Sequence, residues 1–379
     1  MHNDMETQDE SAMNSHPDLF GSVIYSILTP GICFVGVAGN FVCFVVLFKM
    51  NTKCSFYVYL SAIAVIDFFS CITIFLSALA RGAWDGRSIW VNLDGMIFLP
   101  VGEFLHCLSA CATVLVIVDR VIYLKNTVQT TKPSFCRREN ALKMLLLVTL
   151  FCLVFITPYG FVYELDEDGT IYRTDFYESI YFAIYNWLDI ALFAITPVII
   201  LCIGNTLLLI SIKKACKTLK ECQRRLSKKN NRILLDQTKL TITLVAIVIF
   251  YLIGEVPTRF TKKTSSPNIF FGGDEEKAEK SMMLQYSRQL TTLLNAFHLA
   301  IKFILYAFFC PPFYRSIRKA ICHYSKKPIQ LKSISINVFF IEDYVLKSME
   351  RCYNVDYSKL RVLPEFFTIA DTKKLPILL

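Results

Sequence analysis

The chain has 379 residues, 54% of them hydrophobic and only 19% charged, with 40 Lys and Arg against 31 Asp and Glu for a net charge of +9. So apolar a composition excludes an ordinary soluble domain or soluble enzyme and fits a protein that crosses a membrane several times. The basic excess falls on one side of the apolar stretches, which makes it a matter of topology and inner-leaflet attraction and excludes nucleic acid as the partner.

In chain order, residues 1–21 form an acidic tail. Residues 1–20 carry five acids, no Lys or Arg and no Asn-x-Ser/Thr sequon. No apolar core precedes Ser22, so the first apolar stretch is expected to serve as its own insertion signal. Seven long apolar stretches follow, at about 22–49, 56–80, 97–123, 141–163, 180–212, 238–261 and 284–309. Each can span roughly 30 Å of hydrocarbon, which takes roughly 20 residues as helix. Backbone polar groups must be satisfied within lipid, and the runs are too long and too evenly apolar for barrel strands. The predicted fold is all-α, a seven-transmembrane helix bundle over 22–309. Residues 310–324 are expected to form a short amphipathic eighth helix on the membrane, opening at Pro311-Pro312-Phe313-Tyr314-Arg315, with Cys310 and Cys322 as lipidation candidates. Residues 325–379 form a tail with scattered Ser, Thr and Tyr.

The connecting segments orient the bundle. Between the fourth and fifth stretches stand Glu164, Asp166, Glu167, Asp168, Asp175 and Glu178 against Arg173 alone. Lys213 to Lys239 holds ten Lys or Arg and two acids, and Lys125, Lys132, Arg137, Arg138 and Lys143 follow the third stretch. The positive-inside rule then puts the N-terminus outside and the C-terminus inside, in a multi-pass protein of the plasma membrane. The segment 262–283, with Gly272-Gly273, reads as a mobile outer loop, and 213–239 as a basic inner loop helical at both ends. All 14 cysteines fall in the spans or on the basic side, so no disulfide is expected. Cys216 and Cys222 lack a His or further Cys at ligand spacing, so neither a metal nor a cofactor is expected.

Polar residues within the spans normally face the bundle interior and are there for function. The first span holds Asn40 and the second Asp67; the third holds Ser109 and closes on Asp119-Arg120. The seventh carries Asn295, His298, Lys302 and Tyr306 on one helical face. Asp67 and Lys302 each cost about 2.5–3.5 kcal/mol in mid-membrane, too much to leave unpaired. Two readings stay open for these residues, a packed polar seam and a buried switch network.

Asn40, Asp67, Asp119-Arg120, Pro197 and Tyr306 together resemble the recurring marks of rhodopsin-type G-protein-coupled receptors, over about residues 22–320. The departures are specific. The seventh span reads Lys302-Phe303-Ile304-Leu305-Tyr306 in place of Asn-Pro-x-x-Tyr, and the sixth Gly254-Glu255-Val256-Pro257 in place of Cys-Trp-x-Pro. Gly95 stands near where the family's cysteine tops the third span, and the 164–179 loop has no partner for it. Glu-x-Pro in the sixth span, Asn205 eight residues after Pro197, and the ending Phe303-Ile304-Leu305-Tyr306 resemble invertebrate receptors for FMRFamide-like and myosuppressin-like neuropeptides.

The resemblance implies a receptor that passes ligand binding to a heterotrimeric G protein through Asp119 and Arg120, with arrestin and a receptor kinase as further partners and lipid around it. It implies that Asp67 and the seventh span meet where the family holds sodium, so that the Lys302 ammonium stands in for the ion, with Ser109 and Asn40 bonded to the pair. It also gathers Glu103, His106, Trp187, Asp189, Glu255, Arg259 and Asn295 around one ligand cavity. Three acids against one Arg then make that cavity net negative, which favours a cationic ligand such as an amidated peptide containing Arg. Gly102 occupies the position of the monoamine-receptor acid and Ala296 that of the opsin lysine, which argues against both classes. No nucleophile–base set or phosphate loop is present, so no catalytic residue and no enzyme are expected. The rival readings are a seven-span transporter or channel using Asp67, Glu255 and Lys302, and a non-signalling decoy.

Overall fold

The computed structural model describes residues 19–50, 54–85, 87–125, 134–222, 228–310 and 313–317. The acidic tail 1–18, Cys322 and the tail from 318 onward lie outside the described residues, as do the side chains of Cys216, Cys222, Asp236 and Gln237. Among the described residues, seven helices are long and apolar enough to cross a membrane. They are α1 (Leu19–Met50), α2 (Ser55–Arg81), α3 (Ser88–Lys125), α4 (Arg138–Ile156), α5 (Ile180–Ser211), α6 (Lys228–Thr261) and, after two short helices, α9 (Met282–Phe309).

Each predicted stretch falls on one of these helices, most of which continue beyond the apolar core at their polar ends. The third begins at Ser88 rather than near 97. The fourth α-helix ends at Ile156, passes through a 3-10 turn Thr157–Phe161, and gives way to a strand at Tyr163. The helix of the fifth span runs on to Cys222, and α6 opens at Lys228, so the basic inner segment is helical at both ends as expected. Of the eighth helix only its opening, 313–317, is described, and it is helical.

The exposed surface of the bundle is apolar because lipid, not water, is its solvent. The most apolar window of the fourth span is only 11% buried, and Leu146, Leu147, Leu150 and Val154 point outward from it. Inside, one cluster joins α1, α2, α3, α5, α6 and α9 through residues such as Leu47, Tyr59, Leu60, Ile117, Leu201, Tyr251 and Phe313. Three of the spans carry a π-helical turn: Ile24–Leu28, Asp94–Phe98 and Ala191–Ile195. Such bulges commonly re-aim side chains near functional sites. The third lies between Asp189 and Pro197, whose missing N–H already interrupts the ladder.

Two outer segments differ from expectation. The acidic segment after α4 is a hairpin, β1 (Tyr163–Leu165) against β2 (Ile171–Arg173), antiparallel with Glu164 opposite Tyr172. Gly169 takes φ of 73° in its turn, a conformation that suits glycine. The segment 262–283 is an ordered pair of helices, α7 (Ser266–Phe270) and α8 (Glu275–Lys280), and not a structureless loop. Asp274 caps α8 by accepting from Lys277 N at 3.0 Å, and this bond together with the Lys277 side chain draws its carboxyl below the ordinary value. The two segments are tied together, since Arg173 on β2 forms ion pairs with Glu275 and Glu279 of α8. The hairpin reaches α3 without sulfur. Asn92 Nδ2 donates to Gly169 O at 2.6 Å, and Ile171 packs against Gly95, which leaves no room for a Cβ there. The ten described cysteines form no disulfide.

Gly254 has a packing reason. A Cβ at that position would meet His298 Cβ at 2.5 Å and the Leu294 carbonyl at 2.9 Å, so its absence lets α6 lie against α9 where Pro257 breaks the helical ladder. Gly254→Ala is therefore expected to destabilise the protein by about 1–3 kcal/mol, the usual cost of overpacking. Thermal unfolding of the purified variant checks this; an unchanged melting temperature would contradict the close packing.

Candidate functional site

Between α3, α5, α6 and α9, charged side chains that no lipid-facing surface tolerates have converged. Arg259, 1% exposed, is the hub. It stands one turn after Glu255 on α6, with Nε 3.5 Å from the Glu255 carboxylate. Its Nη1 donates to both Asp189 oxygens at 3.1 and 3.3 Å and lies 3.6 Å from Glu103. The Cys107 thiol sits 3.8 Å from both terminal nitrogens. Lys262 follows the end of α6, and its Nζ bridges Glu103, in direct contact, and Asp189 at 3.3 Å. Burial and Arg259 pull the Lys262 ammonium down, but Asp189 and Glu103 outweigh them and hold it above its ordinary value.

Toward the middle of the bundle the chain of contacts continues. His106 Nδ1 is 2.9 Å from the Glu255 carboxylate, and its Nε2 is 3.4 Å from Asn295 Nδ2. The His106 ring thus bridges the Glu255 carboxylate of α6 and the Asn295 amide of α9. Asn295 Oδ1 in turn lies 3.4 Å from His298 Nδ1. Glu103, Asp189 and Glu255 thus face Arg259 and Lys262, with His106 against Glu255, where the sequence reading sets three acids against one Arg. Lys262 makes the difference. The sequence places it in the outer loop, and its position just past an apolar run gives no sign that it folds back. Cys107, one turn below Glu103, was also missed.

Six of the seven predicted cavity residues, Glu103, His106, Asp189, Glu255, Arg259 and Asn295, are in this one network. Trp187 is not. It is 53% exposed on the outer surface of α5, two residues from Asp189 and so on the opposite side of the helix. Glu103, Cys107 and Asp189 have donor atoms close enough together to hold a metal ion. Arg259 and Lys262 already supply positive charge to those same carboxylates, and a metal would have to displace them.

Deeper, Lys302 Nζ lies 3.0 Å from Asp67 Oδ1 and 2.8 Å from Oδ2, with the two residues 1% and 0% exposed. The expected support from Asn40 and Ser109 is absent. Asn40 Nδ2 donates instead to Leu299 O at 3.2 Å, and Ser109 Oγ has no hydrogen-bond partner among the described residues. Tyr306 borders a small apolar cavity with Leu60, Thr113, Ile117 and Leu244, and its hydroxyl is likewise unpartnered.

At the far end of α3, Arg120 Nη2 donates to Asp119 Oδ2 at 2.7 Å, and Ser55 Oγ donates to Oδ1 at 2.5 Å. The guanidinium lies 4.3 Å from the centre of the Phe56 ring, a cation–π contact that holds it flat against α2. Cys310 does not suit lipidation. It is 1% exposed within the core cluster beside Tyr306 and Phe313, out of reach of an acyl transfer.

The family model described as serpentine type seven-transmembrane G-protein-coupled chemoreceptor Srw matches residues 27–324. A probable G-protein-coupled receptor of Caenorhabditis elegans is 24% identical over 211 residues, covering 52% of this chain and 49% of that protein. The chain thus spans about half the length of that curated relative. Among solved structures, squid rhodopsin superposes with a TM-score of 0.61 at 16% identity, over 82% of this chain and 87% of the rhodopsin. That similarity bears on the fold alone.

Proposed function

This chain belongs to the serpentine Srw family of seven-helix G-protein-coupled chemoreceptors, and from that premise we propose that it is a plasma-membrane receptor for a cationic, amidated peptide containing Arg. Its hairpin face lies outside and its Arg120 face inside, in keeping with the charge of the connecting segments. The ligand site is the network of Glu103, His106, Asp189, Glu255, Arg259 and Asn295, and the output is taken by a heterotrimeric G protein at Asp119 and Arg120. Arrestin and a receptor kinase act on the same inner face. The resemblance to FMRFamide-like and myosuppressin-like receptors supports the peptide class.

The observation that carries this reading is the outer cluster itself, where Glu103, Asp189 and Glu255 converge on the side chains of Arg259 and Lys262. A ligand guanidinium entering there gains charge-assisted, bidentate contacts of the kind these acids already make. The chain of contacts from Glu255 through His106 to Asn295 and His298 offers a physical route from that cluster toward Lys302 and Asp67.

The test is a G-protein activation screen in transfected cells against amidated peptides ending in Arg-Phe. A dose-dependent response that Arg120→Ala abolishes, with surface expression unchanged, is the expected result. Silence from a receptor present at the surface would remove the peptide reading and favour a decoy. Ion flux with no G-protein response would favour the transporter or channel.

A further inference from the structure

Two cations serve the outer carboxylates, and they are not equivalent. Arg259 is 1% exposed and held from several sides by Asp189, Glu103, Glu255 and Cys107. Lys262 has a side chain 13% exposed and touches only Glu103 and Asp189 of that set. Of the two acids, Glu103 has a side chain 12% exposed and Asp189 is buried. Lys262 also lies beyond the helix, where its carbonyl accepts from Ser266 N at 2.9 Å and from Ser266 Oγ at 2.6 Å. Its backbone is anchored there, and its ammonium reaches the two acids at the end of a four-carbon stem. The ammonium is a compact point charge with three donors, whereas a guanidinium presents a planar fork that matches two carboxylates at once.

We propose that Lys262 is a resident stand-in for the ligand's cation: it occupies the Glu103–Asp189 seat in the empty receptor and yields that seat to a guanidinium group, while Arg259 stays in place. This deepens the reading of the same site as a receptor for an Arg-containing peptide, and it rests on that reading. The exchange keeps the charge of the cluster almost constant, because the incoming cation replaces an outgoing one. The carboxylates are never left buried and unpaired, the state that costs most in a low-dielectric interior. The lysine also sets specificity. A neutral group cannot displace it, and a second ammonium gains little over it, so the seat discriminates in favour of a forked cation.

The experiment measures binding alone, on purified full-length receptor in detergent, with the amidated dipeptide Arg-Phe-NH2 and its neutral isostere citrulline-Phe-NH2 as probes, both N-acetylated so that the guanidinium is the one cation that differs. Lys262→Gln removes the competing charge but retains a donor, and is expected to bind Arg-Phe-NH2 about tenfold more tightly than the natural protein. Lys262→Arg installs a better resident and is expected to bind it about tenfold more weakly. Neither change should improve binding of the citrulline probe. Thermal unfolding without probe checks that both variants fold. The proposal is overturned if Lys262→Gln binds Arg-Phe-NH2 equally, more weakly or not at all, or if Lys262→Arg binds it better. Weaker binding in Lys262→Gln would mean that the lysine itself contacts the ligand, as an anionic ligand requires. No G protein enters this measurement, so a receptor that binds by exchange but fails to signal would count against the receptor reading and not against the exchange.

Discussion

Lys302→Met is expected to remove the receptor from the cell surface, and adding Asp67→Asn is expected to bring most of it back. The two side chains are 1% and 0% exposed, with the ammonium within 3.0 Å of both carboxylate oxygens. Removing one partner of such a pair leaves a bare charge in an apolar interior, which typically costs 3–5 kcal/mol. That is a large part of the roughly 5–15 kcal/mol by which a folded protein exceeds its unfolded state. Removing both leaves two neutral groups of similar size and costs far less. Surface labelling and thermal unfolding of the two single variants and the double variant close the cycle. If the double variant is as damaged as the sum of the singles, the pair has no coupling and the assignment fails. The same geometry predicts that agonist potency does not change when sodium is replaced by an organic cation, because a lysine already holds the carboxylate where the family resemblance places the ion.

Arg259→Leu is expected to be as severe, and it fails for the opposite charge. Its guanidinium faces Asp189, Glu103 and Glu255, from α5, α3 and its own helix. Without it, only Lys262 and His106 remain beside three carboxylates. The expected result is little folded receptor, by roughly the 3–5 kcal/mol of a broken buried pair. Arg259→Lys should recover part of the loss, since one ammonium can serve Asp189 but cannot also reach Glu255 through a second fork nitrogen. Adding Glu255→Gln to Arg259→Leu should also recover part, by removing one stranded charge. Size-exclusion profiles and melting temperatures of the four proteins test this. A stable, monodisperse Arg259→Leu receptor would show that the cluster is better hydrated than the contacts imply.

The residues that could be placed from the sequence share one property: they sit inside a long apolar run. Asp67, Glu103, Asp119, Arg120, Asp189, Glu255, Arg259 and Lys302 each interrupt such a run, and lipid forces an ionisable side chain to turn inward. The helix around them is equally forced by the need to satisfy its own backbone. Trp187 was misplaced because an aromatic residue is welcome on either side of a span, so its presence near Asp189 carried no direction. Lys262 was missed for a related reason. It lies just outside an apolar run, where a lysine is ordinary and its target cannot be read. The segment 262–283 looked mobile for its mixed charge and paired glycines, but Arg173 from a distant hairpin meets Glu275 and Glu279 and helps to order it.

The sequence by itself determined the seven spans, their helical nature and the identity of the buried charges, because the bilayer imposes those choices on each segment independently. The tertiary structure alone decided who pairs with whom. It turned Asn40 toward Leu299 rather than Lys302, seated Lys262 between Glu103 and Asp189, and buried the Cys310 thiol against the core. Pairing depends on the rotation of each helix about its axis and on close approaches such as that of α6 to α9 at Gly254. Those are set by packing between segments far apart in the chain, a relation that no single stretch of sequence contains.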